Sequence, residues 1–262
     1  MWQVIGASTQ GTSHIRFGSP CQDAHGYQVL ENCVIAAVAD GLGSAAKSDE
    51  GAKLAIGKTL VELVQALAGN QPDNTENWIQ ALSNAFAQAR QSLEQTAETS
   101  SLPLREYGTT LIAVVVTPNW LAVGHIGDGA VVALIEDDTL ETVSAPQRGE
   151  YANEVTPLTA QNALAFVRFS ARPISVKAVA LLSDGLQNLS INAATRTPYA
   201  PFFTPFFDAI GQVIDIDETS KQLADFLDSE RICSKTDDDK TLVVVGKVQP
   251  EREKLYSDAK VE

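Results

Sequence analysis

The chain has 262 residues, 44% apolar and 20% charged, an ordinary globular composition that needs no disulfide or metal staple to hold a core. Nineteen Lys and Arg against 33 Asp and Glu leave a net charge of −14, the wrong sign for neutralising nucleic-acid phosphates. No apolar run approaches the ~20 residues of a membrane span, the first residues lack a secretory pattern, and three cysteines without CxxC spacing suit a reducing cytosol, so a cytoplasmic chain with no nucleic-acid or membrane partner is expected.

Short apolar stretches at Trp2–Ile5 and Val34–Ala39, broken by Gly, Ser, Pro and Asn, read as strands and turns. Two helices are predicted next. Ala52, Ile56, Leu60, Leu63, Val64 and Leu67 recur at helical spacing, and Trp78, Leu82, Ala85, Phe86, Ala89 and Leu93 do the same. The period then changes. Thr110–Val116, Trp120–Ile126 and Ala130–Ile135 are Val- and Ile-rich runs that read as an antiparallel meander. The polar stretch from Ser144 to Arg172 is predicted to be a long flap shaping substrate access. Val176–Leu182 reads as a buried strand, and 187–230 as partly helical with an apolar hinge at Pro201-Phe-Phe-Thr-Pro-Phe-Phe. Thr241–Val245 is a last strand. Residues 1–248 are expected to form one catalytic domain, and 249–262 a solvated tail.

The recurrent chemical feature is an aspartate beside glycine at the end of a buried strand. Val34–Ala39 ends in Asp40-Gly41, Trp120–Ile126 in Gly127-Asp128-Gly129, and Ala178–Leu182 in Ser183-Asp184-Gly185. Asp237-Asp238-Asp239 stands just before Thr241, and Asp23 follows Cys21-Gln22. Any one Asp-Gly is an ordinary turn, since both residues tolerate the left-handed conformation. If strands gather these carboxylates, each pair about 4 Å apart repels by about 4 kcal/mol at an effective dielectric near 20. Such a cluster needs a cation or protons, and hard oxygen ligands favour Mg²⁺ or Mn²⁺ over zinc.

The ordered set Gln22-Asp23-Ala24, Asp40-Gly41-Leu42-Gly43, Gly108-Thr109-Thr110, Gly127-Asp128, Ser183-Asp184-Gly185 and Asp238-Asp239-Lys240-Thr241 resembles the metal-dependent protein phosphatases of type 2C, in their bacterial form. The resemblance implies an α+β fold, a four-layer αββα sandwich of two antiparallel sheets flanked by helices. It implies hydrolysis of phosphoserine and phosphothreonine by a metal-activated water at a binuclear Mn²⁺ or Mg²⁺ site, with a third ion in some relatives. Asp40 would bridge both metals, with Gly41 adding its carbonyl, and Asp184 and Asp238 would complete the ligands. Asp238 is chosen over Asp239 because it stands three residues before Thr241. Asp128 would support the third ion, and Asp23 would hold water beside the metals. Phosphorylated proteins and a cognate Ser/Thr kinase system are the implied partners of a signalling monomer.

Two positions depart from the family pattern. Its phosphate-binding arginine, five residues before the aspartate of Gln22-Asp23, is Gly18 here, so Arg16 or His14 on the same loop is expected to bind substrate phosphate. The histidine that some relatives carry after Asp-Gly is Leu42. His25 and His125 are read as structural.

Two other classes compete. Gly41-Leu42-Gly43-Ser44-Ala45-Ala46 also fits a dinucleotide fingerprint, which requires a second strand with an acidic end about 20 residues on. Two helices stand there instead. A non-catalytic binding or sensor module of the same fold would have lost its metal ligands, whereas Asp40, Asp184 and Asp238 are all present.

Overall fold

A computed structural model describes residues 1–69, 71–147 and 155–248. Runs such as Val34-Ile-Ala-Ala-Val-Ala are apolar at every position because their strands are covered on both faces. One sheet orders β1 (Trp2–Thr9), β10 (Lys240–Lys247), β9 (Val176–Leu182), β6 (Ala130–Ile135) and β7 (Leu140–Ser144). The other orders β2 (Ala24–Val29), β3 (Val34–Ala39), β4 (Leu111–Val116), β5 (Leu121–Ile126) and β8 (Arg168–Arg172). All their pairings are antiparallel.

Alternation along each strand divides the core. Val34, Ala36 and Val38 meet Val114, Leu181 and Val243 between the sheets, while Ile35, Ala37 and Ala39 face the helices α2 (Ser48–Leu67) and α3 (Thr75–Thr99). On the far side, Leu182, Leu242 and Val244 pack under α5 (Ala200–Ile210) and α6 (Ile216–Leu227). Among the described residues the remaining α-helices are short: α1 (Thr12–Phe17), α4 (Gln187–Ser190) and α7 (Glu230–Cys233). The expected four-layer αββα sandwich is therefore the fold. Helix α3 shows how its sequence fixes its place. Asn74 caps it by accepting from the Asn77 amide, and buried Trp78, Leu82, Phe86, Ala89 and Leu93 form one stripe. Each large apolar side chain so buried contributes about 1.5–3 kcal/mol.

Several expectations need correction. The meander stops after two strands: β4 pairs with β5, but β6 joins the other sheet beside β9. Gly127, at φ +120°, sends the chain across the sandwich rather than back along β5. The apolar segment at 201–207 is no hinge but part of α5. Pro201 fits its first turn, and Pro205 removes one interior hydrogen bond, the one its N–H would have made to the Pro201 carbonyl. Its buried residues Phe203, Phe207 and Ile210 lie at helical spacing. The flap expected over 144–172 is described only in part. It begins at the end of β7 and closes with the edge strand β8, while residues 148–154 lie outside the described residues. The 249–262 segment lies outside them as well. Two helices follow Asp40, with no strand before β4 among the described residues, which excludes the dinucleotide unit.

Candidate metal centre

Antiparallel order brings the motif aspartates to one end of the sandwich. β3 and β9 finish there, while β2 and β10, running opposite to them, start there. Asp40 follows β3, Asp184 follows β9, Asp128 lies in the crossing between β5 and β6, and Asp23 and Asp238 precede β2 and β10. One carboxylate oxygen each from Asp40, Asp128 and Asp184 lies within 4.8 Å of the others. Asp128 thus stands inside the tightest group.

Asp238 stands outside that 4.8 Å set, although its charge is the largest acting on Asp184. Its side chain is half exposed. One oxygen accepts from the Asp239 amide at 2.9 Å and lies 3.8 Å from His14 Nε2. Asp23 is buried behind the group, its Oδ2 accepting from Ser183 Oγ at 2.6 Å. Ser183 Oγ also accepts from the Thr241 amide at 2.9 Å, so one hydroxyl ties the start of β10 to the start of β2.

The backbone around Asp40 is braced by the Gly108-Thr109-Thr110 segment. The Asp40 amide donates to Thr110 Oγ1 at 2.9 Å, and the Thr110 amide returns a bond to the Asp40 carbonyl at 2.8 Å. Gly41 is pressed against backbone: a Cβ there would lie 2.7 Å from the Ser48 carbonyl oxygen and 2.8 Å from that of Gln22.

The electrostatics match the crowding. Burial, followed by the fields of Asp23, Asp184, Asp128 and Asp238, holds the Asp40 carboxyl well above the usual range. Burial and then Asp184 push Asp128 up to about 7. Burial also takes Asp23 to about 7, against the lowering bond from Ser183. Asp184 is raised by burial and then by Asp238. Proteins hold such carboxylates together only with protons or a cation. The residues fit a divalent ion: the donors are hard oxygens, and the buried Asp128 Oδ1 and Gln22 Oε1 have no hydrogen-bond partner among the described residues.

The comparisons follow this geometry. The family model described as Protein phosphatase 2C matches residues 10–228. Serine/threonine-protein phosphatase 3 of Escherichia coli (strain K12) is 32% identical over 250 residues, covering 93% of this chain and 97% of its own. The chain belongs to the protein phosphatase 2C family. Among solved structures, the catalytic domain of the serine/threonine phosphatase PstP in complex with two manganese ions shares the fold at TM-score 0.62 and 19% identity, over 95% of this chain and 99% of that one. PppA of Pseudomonas aeruginosa shares it at 0.58 and 18%, over 94% and 97%.

The loop expected to bind phosphate departs from the family pattern at Gly18. Gly18 occupies the left-handed position that closes α1 (φ +70°), where a branched side chain would be strained. Arg16 is exposed on the last turn of α1, with no ion-pair partner among the described residues. His14 is engaged instead, its Nδ1 standing 2.9 Å from Asp239 Oδ2 and 3.3 Å from the Pro20 carbonyl oxygen.

Two functional neighbours escape sequence reasoning. Asp239 is buried, and its two oxygens accept the Gly11 and Gln22 amides, each at 2.6 Å. The aspartate beside Asp238 thus holds the loop bearing His14, Arg16 and Gln22 against β10. Gln147 does similar work at the crossing. Its Oε1 accepts the Gly127 amide at 2.8 Å, its own amide donates to the Gly127 carbonyl at 3.1 Å, and its Nε2 donates to Phe166 O at 3.0 Å. It clamps the base of the 144–172 segment onto the turn that carries Asp128. His125 and His25 have structural partners. His125 is fully buried, 2.7 Å from Ser144 Oγ, and burial and then Arg168 take it down to about 3. His25 Nδ1 lies 2.8 Å from Ser8 Oγ.

Proposed function

We propose that this chain is a metal-dependent phosphoprotein phosphatase that hydrolyses phosphoserine and phosphothreonine at the acidic end of the sandwich. The observation that carries the reading is the group formed by Asp40, Asp128 and Asp184, whose proton affinities are all raised by shared burial and mutual repulsion. Asp40, Asp184 and Asp238 would hold two Mn²⁺ or Mg²⁺ ions, with the Gly41 carbonyl beside them. Asp128 would serve a third. Bound there, the ions supply positive charge that polarises the phosphoryl oxygens and lowers the pKa of the attacking water.

The remaining work falls to the protein. Asp23, fixed by Ser183 Oγ, orients the attacking water through its carboxylate. Asp239 and Gln147 hold the two loops that border the site. Arg16 supplies the guanidinium that grips substrate phosphate from α1, and His14, held by Asp239, keeps that loop in place. The substrates are phosphorylated proteins made by a Ser/Thr kinase system in the cytoplasm, residues 1–248 form the catalytic domain, and the chain acts as a monomer in signalling. Phosphate release from a phosphothreonine peptide tests the reading: turnover with Mn²⁺ and none after chelation is expected, and turnover that survives chelation would reject the metal centre.

A further inference from the structure

Away from the acidic end, β1, α4, α5, α6 and α7 line a cavity of about 500 Å³, inside the range of small-molecule sites. None of the motif aspartates lines it. Ile5 is part of its buried lining. Phe206 lies 5.7 Å from Phe202 and 5.5 Å from Phe226 between ring centroids, which makes one rigid aromatic wall. Pro205 and Ala209, one turn apart on α5, leave open a space that longer side chains would close.

The lining also includes Arg231 and Lys235, four residues apart and both exposed. Neither has an ion pair among the described residues, in a chain whose net charge is −14. An aromatic wall next to two unpaired cations is complementary to a molecule with an apolar body and an anionic head. Five elements contribute walls, which suits a compact body rather than an extended peptide.

We propose that this cavity binds a small amphipathic organic anion, its apolar body against Phe202, Phe206 and Phe226 and its carboxylate, sulfonate or phosphate facing Arg231 and Lys235. The site does not depend on the metal reading. Fluorescence titration of the full chain with 8-anilinonaphthalene-1-sulfonate, beside the uncharged N-phenyl-1-naphthylamine, tests it. Saturable one-to-one binding of the sulfonate is expected, with the neutral probe about tenfold weaker because it lacks the charge-assisted contacts. The double variant R231E/K235E should lose that preference. Ala209→Trp, at an exposed helix position, should block both probes while a melt shows an intact fold, and neither variant should alter metal-dependent turnover of an aryl phosphate. Absence of saturable binding, equal affinity for the two probes, or binding that survives Ala209→Trp would overturn the proposal. So would self-association through this face that the same substitution disperses.

Discussion

Asp239→Asn gives the sharpest test of how the acidic end is built. Both oxygens of Asp239 are committed, Oδ1 to the Gly11 amide and Oδ2 to the Gln22 amide and His14. Asparagine keeps one acceptor and turns an NH₂ donor toward a buried N–H. One charge-assisted bond is then lost, worth about 1.5–3 kcal/mol, and one buried donor is left unpaired at about 1–3 kcal/mol. Asp239 also repels Asp23 and Asp184, so removing its charge returns part of this cost, and the expected net loss is about 2–4 kcal/mol. At about 2–4 °C per kcal/mol for a chain of this size, melting should fall by about 10 °C in chelator. Asp238→Asn should behave in the opposite way. Its side chain is 52% exposed and faces other carboxylates, so the apo protein should melt at or above the parent temperature while Mn²⁺ affinity falls. Differential scanning calorimetry in chelator, with manganese titration of the same two proteins, separates holding the loop from holding the ion. An Asp239→Asn protein that melts within about 2 °C of the parent would refute the reasoning.

Three further outcomes are expected. Asp128 at about 7 binds its proton more tightly folded than unfolded, so in chelator its ionisation opposes folding, negligibly below pH 4, increasingly up to pH 7 and fully above. Asp128→Asn should therefore melt above the parent at pH 8 in chelator, with the gain shrinking toward pH 5; a gain equal at both values contradicts the raised affinity. Gln147→Ala should cost about 1–3 kcal/mol by orphaning the Gly127 amide and should weaken the lowest-affinity Mn²⁺ in calorimetry. Unchanged melting and binding would mean that the turn holds Asp128 unaided. Arg16→Ala should raise KM for a phosphopeptide several-fold to a hundred-fold, about 1–3 kcal/mol for one charge-assisted contact, and leave Mn²⁺ affinity alone; unaltered kinetics would remove Arg16 from phosphate binding.

The aspartates at strand ends were legible because an apolar run stops abruptly at Asp-Gly, and antiparallel order then carries those ends together. What lay beyond was set by long-range pairing. Strands buried on both faces have no period-2 signal, so nothing in Ala130–Ile135 says which sheet takes it. Six residues are too few for helical periodicity to reveal α1, and Arg168-Phe-Ser-Ala-Arg is a polar edge strand that reads as loop. Proline obscured α5, although its buried phenylalanines keep helical spacing. Asp238 and Asp239 differ only in which way each side chain leaves the start of β10, and counting back from Thr241 cannot show that Asp239 meets two amides more than 200 residues away in sequence. Gln147 is a single polar residue in a polar stretch, and only the folded turn at Gly127 gives it a partner.

The central claim, that the carboxylate group around Asp40 is a metal centre for phosphate hydrolysis, is tested most directly in Asp40→Asn. The variant should keep the parent circular dichroism spectrum and melt at or above the parent temperature in chelator, since it relieves repulsion from Asp23, Asp184 and Asp128. Calorimetry should show Mn²⁺ binding lost, and phosphate release from a phosphothreonine peptide should vanish with it. A folded Asp40→Asn protein that turns over the peptide under Mn²⁺ near the parent rate would contradict the account.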